Sequence, residues 1–264
     1  MNIVSWNVNS LKARHDYVAQ FLDAEDPDVI VLQELKLQTD HVPTELFSKR
    51  GYHLAIHGQK QWNGVLIASK KEISHMQCGV ATIEEEQSRV VVATIDGIHF
   101  INLYCPQGAS EEDAKYQYKL RFFTALKTWL NEKYTPADAL MLLGDINIAP
   151  RPCDVYWDVQ AHPNWVSHHP LELAKFQELI DWGLEDLGAR LLPERSYTFY
   201  DYRSFWDFKA KRFRYDLGMR IDHFLVSPSV GARAESIEIL KSWRHKKNGL
   251  KPSDHVPIRL CLNV

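Results

Sequence analysis

Residues 140–150 read LMLLGDINIAP: an apolar run that stops at Gly144 and is followed at once by Asp145 and Asn147. The run is too short for a core helix and closes on a turn residue, so it reads as a buried strand. Taken alone, Gly144 and Asp145 make an ordinary turn. The wider pattern decides the fold. Seven further runs of strand length, rich in β-branched residues, recur along the chain: NIVSW from Asn2, DVIVLQ from Asp28, GVLIAS from Gly64, RVVVATI from Arg89, HFINLY from His99, IDHFLVS from Ile221 and VPIRLCL from Val256. Between them lie segments with apolar residues near 3.6 spacing. Leu11–Ala24 carries Val18, Phe21 and Leu22; Ala114–Tyr134 carries Leu120, Phe123, Leu126, Trp129 and Leu130; Leu171–Trp182 carries Leu173, Phe176, Leu179 and Ile180. Strands mixed with helices predict an α/β fold with sheet cores and outer helices. No internal repeat and no linker rich in Pro, Gly or Ser divides the chain, so residues 1–264 are expected to form one domain.

Composition narrows the class. Of 264 residues, 45% are hydrophobic and 25% charged, which suits a compact core and excludes disorder. No basic, apolar, small-residue leader opens the sequence and no long uncharged apolar run occurs, so a cytoplasmic protein without a membrane partner is expected. Cys78, Cys105, Cys153 and Cys261 are scattered without metal or redox spacing and read as reduced. A net charge of −3 argues against an indiscriminate nucleic-acid coat. Two basic clusters nevertheless stand out. Arg203, Lys209, Lys211, Arg212, Arg214 and Arg220 face only Asp207 and Asp216; Lys241, Arg244, Lys246, Lys247 and Lys251 face no acid and include His245. Interleaved with Tyr202, Phe205, Trp206, Phe208, Phe213, Tyr215 and Trp243, they read either as solvated loops or as a phosphate-tracking surface.

Polar residues gather where the strands end. Asn7, Glu34, Tyr104, Asp145 and Asn147 close apolar runs, Asp222 opens one, and Asp254 and His255 precede the last. Residues at one rim of an α/β sheet converge on a shared crevice. Each position has a plainer reading. Asn7 suits a helix cap, Glu34 a pair with Lys36, Tyr104 a core site, Ser253 and Asp254 a turn. Their number on one chain favours a shared site. Acids, amides, one His and one Tyr, without a nucleophile-elbow serine or a glycine-rich phosphate loop, suit a hard divalent cation with oxygen ligands. That inventory points to phosphoester hydrolysis by metal-assisted water attack.

The stretches WNVNSLKAR, PDVIVLQELK, GYHLAIHGQKQWNGVLIAS, INLYCPQG, LLGDINIAP, WGLEDL, RIDHFLVS and KPSDHVPI, in this order from Met1 to about Leu260, together resemble the exonuclease III family of apurinic/apyrimidinic endonucleases, within the endonuclease/exonuclease/phosphatase superfamily. The resemblance implies a four-layered α/β sandwich, two packed mixed β-sheets flanked by helices, with the site at one edge. It implies Mg2+, or Mn2+ in its place, and as substrate double-stranded DNA with abasic sites or blocked 3′ ends, handled by a monomer. On the matching positions, Glu34 is the principal metal ligand, supported by Asn7 and Asp254. Asp145 orients or deprotonates the attacking water, and Asn147 holds that water or a phosphate oxygen. His255, paired with Asp222, contacts the scissile phosphate, and Tyr104 stabilises its charge. The identity of the base, and a second metal near Asp145, Asn147 and Asp254, stay open at this point. Asn9 and Gln107 are expected on backbone phosphates. Phe199, Met219 and Ile221 are either the pocket for a flipped abasic sugar or simply core; some relatives carry Trp at the position of Met219. The segment HPNWVSHHP, from His162 to Pro170, follows no pattern of its own. If His168 or His169 reached the lesion pocket, its bulk would favour 3′-end trimming over internal incision. Two rival readings remain: a superfamily phosphatase acting on inositol phosphates or lipids, and a catalytically silent DNA-binding or scaffold protein.

Overall fold

Why the apolar runs become strands is visible in a computed structural model, which describes residues 1–80, 87–108, 110–201 and 215–263. The strands are β1 (Asn2–Asn7), β2 (Val29–Gln33), β3 (His53–His57), β4 (Val65–Ser69), β5 (His75–Cys78) and β6 (Val90–Ile95). They continue with β7 (Ile98–Tyr104), β8 (Leu140–Asp145), β9 (Glu185–Asp186), β10 (Asp222–Val226), β11 (Ala234–Ile239) and β12 (Ile258–Leu262). The helices are α1 (His15–Glu25), α2 (Glu45–Ser48), α3 (Ala114–Lys133), α4 (Pro170–Asp181), α5 (Leu187–Leu191) and α6 (Pro228–Gly231). Two six-stranded sheets result, ordered β11-β12-β1-β2-β4-β3 and β5-β6-β7-β8-β10-β9.

Side-chain alternation sorts each strand between two environments. Ile3, Val29, Val31, Phe100, Met141, Leu143 and Phe224 meet in a core between the sheets. Their neighbours point outward instead. Val4, Trp6, Ile30 and Leu32 pack on Tyr17, Val18, Phe21 and Leu22 of α1, while Ile101, Leu103, Leu140 and Leu142 pack on Phe122, Leu126, Trp129 and Phe176 of α3 and α4. The layers run helix, sheet, sheet, helix, as the resemblance implies.

All eight apolar runs are strands. β3, β5, β9 and β11 have no counterpart among them: each lies at or beside a sheet edge, where one side needs no partner and polar residues are tolerated. The first helix starts later than its pattern, since Lys12–Arg14 form a 3-10 turn before α1. The other two helices match closely. Asp113 caps α3 by accepting from Lys115 N, and His169 with Glu172 forms a capping box around the start of α4. All four cysteines are free.

The basic clusters divide. Arg203, Lys209, Lys211, Arg212 and Arg214, with Tyr202, Phe205, Trp206, Phe208 and Phe213, lie outside the described residues. Arg220 is no surface cation: it is buried and bonded to Asp154 and Asp186 at 2.8 Å each. Trp243 is no surface aromatic either, because its ring is buried against Tyr17 and Phe21, with the Lys247 ammonium 3.3 Å above it. Lys241 pairs with Asp216 at 2.9 Å. Tyr215 is exposed.

Candidate active site

Inside the sandwich, polarity rises along the inner face toward one rim. On β1 the inward positions run Ile3, Ser5, Asn7; on β7 they run Phe100, Asn102, Tyr104; on β8 they run Met141, Leu143, Asp145. Midway, Gln33 Nε2 donates to Asn102 Oδ1 at 2.8 Å and lies 3.3 Å from Ser5 Oγ, while Asn102 Nδ2 donates to Leu32 O and Leu66 O. These bonds tie the two sheets together just below the rim. Gly144 is required there. Its φ is +126°, and a Cβ would stand 2.2 Å from Leu103 O and 3.1 Å from both Asn102 Oδ1 and Gln33 Nε2.

Strand direction explains why residues so distant in sequence meet. β1 runs parallel to β2 and β7 parallel to β8, so Asn7, Glu34, Tyr104 and Asp145 arrive at strand ends. β10 and β12 run antiparallel to β8 and β1, so their starts lie at the same rim. Asp222 is directly opposite Asp145 in the ladder. Asp254 and His255 precede β12, held by Ser253, whose Oγ donates to Asn7 O at 2.7 Å and accepts from His255 N at 3.2 Å.

The groups form one connected network. Asn7 Nδ2 donates to Glu34 Oε1 and to Asp145 Oδ2, both at 2.9 Å, and Asn7 Oδ1 accepts from Asn9 N. Lys36 Nζ lies 2.9 Å from Glu34 Oε2, so the plainer reading of Glu34 holds alongside the rim reading. Asn9 Nδ2 donates to Asp254 Oδ1 at 3.0 Å, and Asn9 Oδ1 accepts from Lys36. Asn147, at φ 57°, donates its backbone N–H to Asp145 Oδ1 and its side-chain nitrogen to Cys105 O. His255 Nδ1 is 2.9 Å from Asp222 Oδ2, and its Nε2 is 3.7 Å from Asp145 Oδ2. Thr198 Oγ1 accepts the backbone N–H of Asp222.

A cavity of about 260 Å³ opens on this network, lined by Asn9, Glu34, Tyr104, Gln107, Asp145, Asn147, Phe199, Asp201, Ile221, Asp254 and His255. Asn7 and Asp222 stand behind it. Phe199 and Ile221 belong both to this wall and to an apolar cluster with Ala149, Val155 and Met219, so pocket and core are not alternatives for them. Met219 and Gln107 line a second cleft of about 930 Å³, which Tyr104 also borders. His168 and His169 do not line the cavity. His168 is buried with Nδ1 2.6 Å from Ala149 O, and His169 caps α4. Asp201 is a lining residue that the sequence reading lacks. Asp201 follows Phe199 by two positions, the kind of spacing that places side chains on one face of an extended segment.

Charge is unevenly distributed across the cavity. Burial raises the Asp145 carboxyl to about 7, opposed by His255 and reinforced by Asp222 and Glu34. Burial works against charge on His255, but Asp222 and Asp145 outweigh it and raise the ring to about 10. Burial and the neighbouring Glu34 and Asp145 carboxylates push the Tyr104 phenol well above its ordinary range. Glu34 resists burial because Lys36 and Asn7 stabilise its anion, and it lies below its usual value. The His255–Asp222 contact is therefore an ion pair rather than a pair of metal ligands, although Asp145, Asp222 and His255 bring three donor atoms within 4.8 Å of one another. The cavity walls fit a hard cation better: Glu34, Asp145 and Asp254 offer oxygen ligands, and buried Asp222 Oδ1 has no hydrogen-bond partner.

Exodeoxyribonuclease III of Haemophilus influenzae is 34% identical over 269 residues, spanning 98% of both chains. Among solved structures, that of the 3′ phosphatase NExo from Neisseria bound to a product DNA hairpin superposes with TM-score 0.91 and 34% identity, covering 100% of both chains. An AP endonuclease from Archaeoglobus fulgidus superposes with TM-score 0.92 and 32% identity, again over 100% of both. Residues 4–255, which reach from β1 to His255, match the Endonuclease/Exonuclease/phosphatase family, and the chain belongs to that family.

Proposed function

We propose that this protein is a DNA repair nuclease that hydrolyses the phosphodiester 5′ to an abasic site and clears blocked 3′ ends, with 3′ to 5′ exonuclease action from the same cavity. The names of its relatives support this reading: exodeoxyribonuclease III, 3′ phosphatase and AP endonuclease. The observation that carries it is Asp145, a buried carboxylate raised to about 7 between Asn7 and the His255–Asp222 ion pair. A base of that strength suits proton abstraction at neutral pH.

Each residue then has a task. Asp145 takes the proton of the attacking water as its oxygen bonds to phosphorus; the P–O3′ bond breaks and the departing oxygen is protonated from solvent. Charged His255 donates from Nε2 to a phosphate oxygen, with Asp222 fixing the ring through Nδ1. Tyr104, held protonated, donates its hydroxyl to the same developing charge. Asn147 holds the water or a phosphate oxygen, and Gln107 and Asn9 face the backbone. Phe199 and Ile221, with Met219 at the adjoining cleft, form the apolar wall against which a sugar without a base rests. Glu34, with Asp254 and Asn7 beside it, would hold a hard divalent cation through oxygen donors, proposed as Mg2+ with Mn2+ as its substitute. Such an ion, when bound, neutralises phosphate charge and polarises the phosphoryl group. The protein works as a single-domain monomer in the cytoplasm; no helix among the described residues is long and apolar enough to cross a membrane.

Labelled duplexes carrying an internal abasic analogue, a 3′-phosphate, a blunt end or an internal deoxyuridine test this, each with Mg2+ and with chelator. Cleavage in Mg2+ is expected, and Asp145→Asn should lower it by about 10²- to 10⁴-fold while DNA binding persists. Absence of Mg2+-dependent cleavage on every duplex would overturn the enzyme reading.

A further inference from the structure

Beneath the rim, three consecutive carbonyls of the loop after β8 are each held by a buried side chain from a different element. Lys119 Nζ of α3 donates to Asn147 O at 2.7 Å. His223 Nε2 of β10 lies 2.8 Å from Ile148 O, and His168 Nδ1 lies 2.6 Å from Ala149 O. A carbonyl only accepts, so each of those ring nitrogens carries the proton. His223 is fixed in that tautomer because its Nδ1 accepts from Arg220, which is anchored in turn on Asp154 and Asp186.

Lys119 is the unusual member. Its side chain and that of Glu172 are both fully buried. All three ammonium donors are used: on Asn147 O, on Gln107 O at 3.2 Å, and on Glu172 Oε1 at 2.5 Å. Burying such a pair brings little or no stability over an apolar pair of the same size. What an apolar pair would not supply is a donor to two carbonyls at once. Those carbonyls belong to Asn147 and Gln107, one on the loop after β8 and the other on the loop after β7, and both side chains line the cavity. Asn147 also needs support, because its φ of 57° is unfavourable for a residue with a Cβ.

We propose that Lys119 is a positioning residue for phosphodiester hydrolysis: by holding the carbonyls of Asn147 and Gln107, it fixes both cavity loops in the geometry of attack. This rests on the assignment of the cavity as the active site. Glu172 keeps the ammonium charged and, by accepting from His169 N at 3.2 Å, joins the start of α4 to the same clamp.

Replacing the pair together, Lys119→Met with Glu172→Leu, removes the clamp without leaving a lone buried charge. The folded double variant should bind abasic duplex in chelator with a Kd near wild type, while kcat falls by about 10- to 100-fold, the effect of a small misplacement of reacting groups. Leu126→Ala, on the same helix but packed in the outer core, is the stability control and should lower Tm while leaving kcat unchanged. Lys119→Gln gives a second reading that does not depend on the double variant folding, with kcat between that of the double variant and wild type. Wild-type kcat in either folded Lys119 variant, or kcat falling with Tm in Leu126→Ala as well, overturns the proposal. If Asp145→Asn keeps full activity, the cavity assignment itself fails; if Asp145→Asn is inactive and the Lys119 variants are not impaired, only the clamp fails.

Discussion

Asp145 and His255 are held in opposite senses by the same burial, and pH separates them. For His255 the folded value, about 10, lies above the ordinary 6.5, so the fold binds that proton more tightly than the unfolded chain does. Its stabilisation is complete below about pH 6.5 and is lost as the pH rises through about 10. Metal-free protein should therefore lose stability across that window in urea titrations, and His255→Asn should lose less. Equal slopes would mean that the ring is neutral in the fold. Asp145, raised from 3.8 to about 7, also favours its protonated form, so the fold loses stability as the pH rises from about 3.8 and bears the full cost of the charge above about 7. Calorimetry at pH 8 should find Asp145→Asn with a higher Tm than wild type even as it loses turnover, the trade expected where function demands a strained charge. A lower Tm would mean that the carboxylate stabilises the fold. Asn9, expected from sequence on a backbone phosphate, also bridges Lys36 and Asp254 through its amide. That bridge is invisible in the sequence because it joins residues from three separate segments.

At the level of elements, the buried strands were legible because both their faces are covered and their residues are apolar without interruption. Edge strands such as β11, whose sequence AESIEI exposes Glu235, Ser236 and Glu238, left no such run. Helical periodicity likewise located α3 and α4 but gave no sign of Lys119 and Glu172, since a charged residue on a helix is ordinarily solvated. In the sequence Gly144 reads as an ordinary turn residue. The structure adds a steric cause, and Gly144→Ala should cost at least about 2 kcal/mol by chemical denaturation, from left-handed strain and a clash with Leu103 O. Wild-type stability in that variant would show that the two strands can separate there. Arg220, in the sequence one of a cluster of cations, joins the segment at Asp154 to β9 at Asp186. Arg220→Met leaves buried Asp186 without its cation and Asp154 with Arg151 alone, and should cost about 3–5 kcal/mol. A loss below about 1 kcal/mol would place that network in contact with solvent.

Across the whole molecule, the fold and the rim were legible together because one cause produces both: strands that begin apolar between the sheets end polar at a shared edge. What the sequence could not disclose is which polar residues are satisfied by one another, since that depends on sheet order. The order has a temporal consequence. β12 inserts between β11 and β1, pairing Ser5 with Ile258 and Asn2 with Cys261, and with the bridge between Phe199 and His255 that insertion brings His255 to Asp222 and Asp145. A growing chain makes Asn7, Glu34 and Asp145 long before it makes the imidazole that completes their cavity. A fold ordered this way completes its cavity only after β12 has docked, so a chain with β12 detached keeps its carboxylates and loses its imidazole.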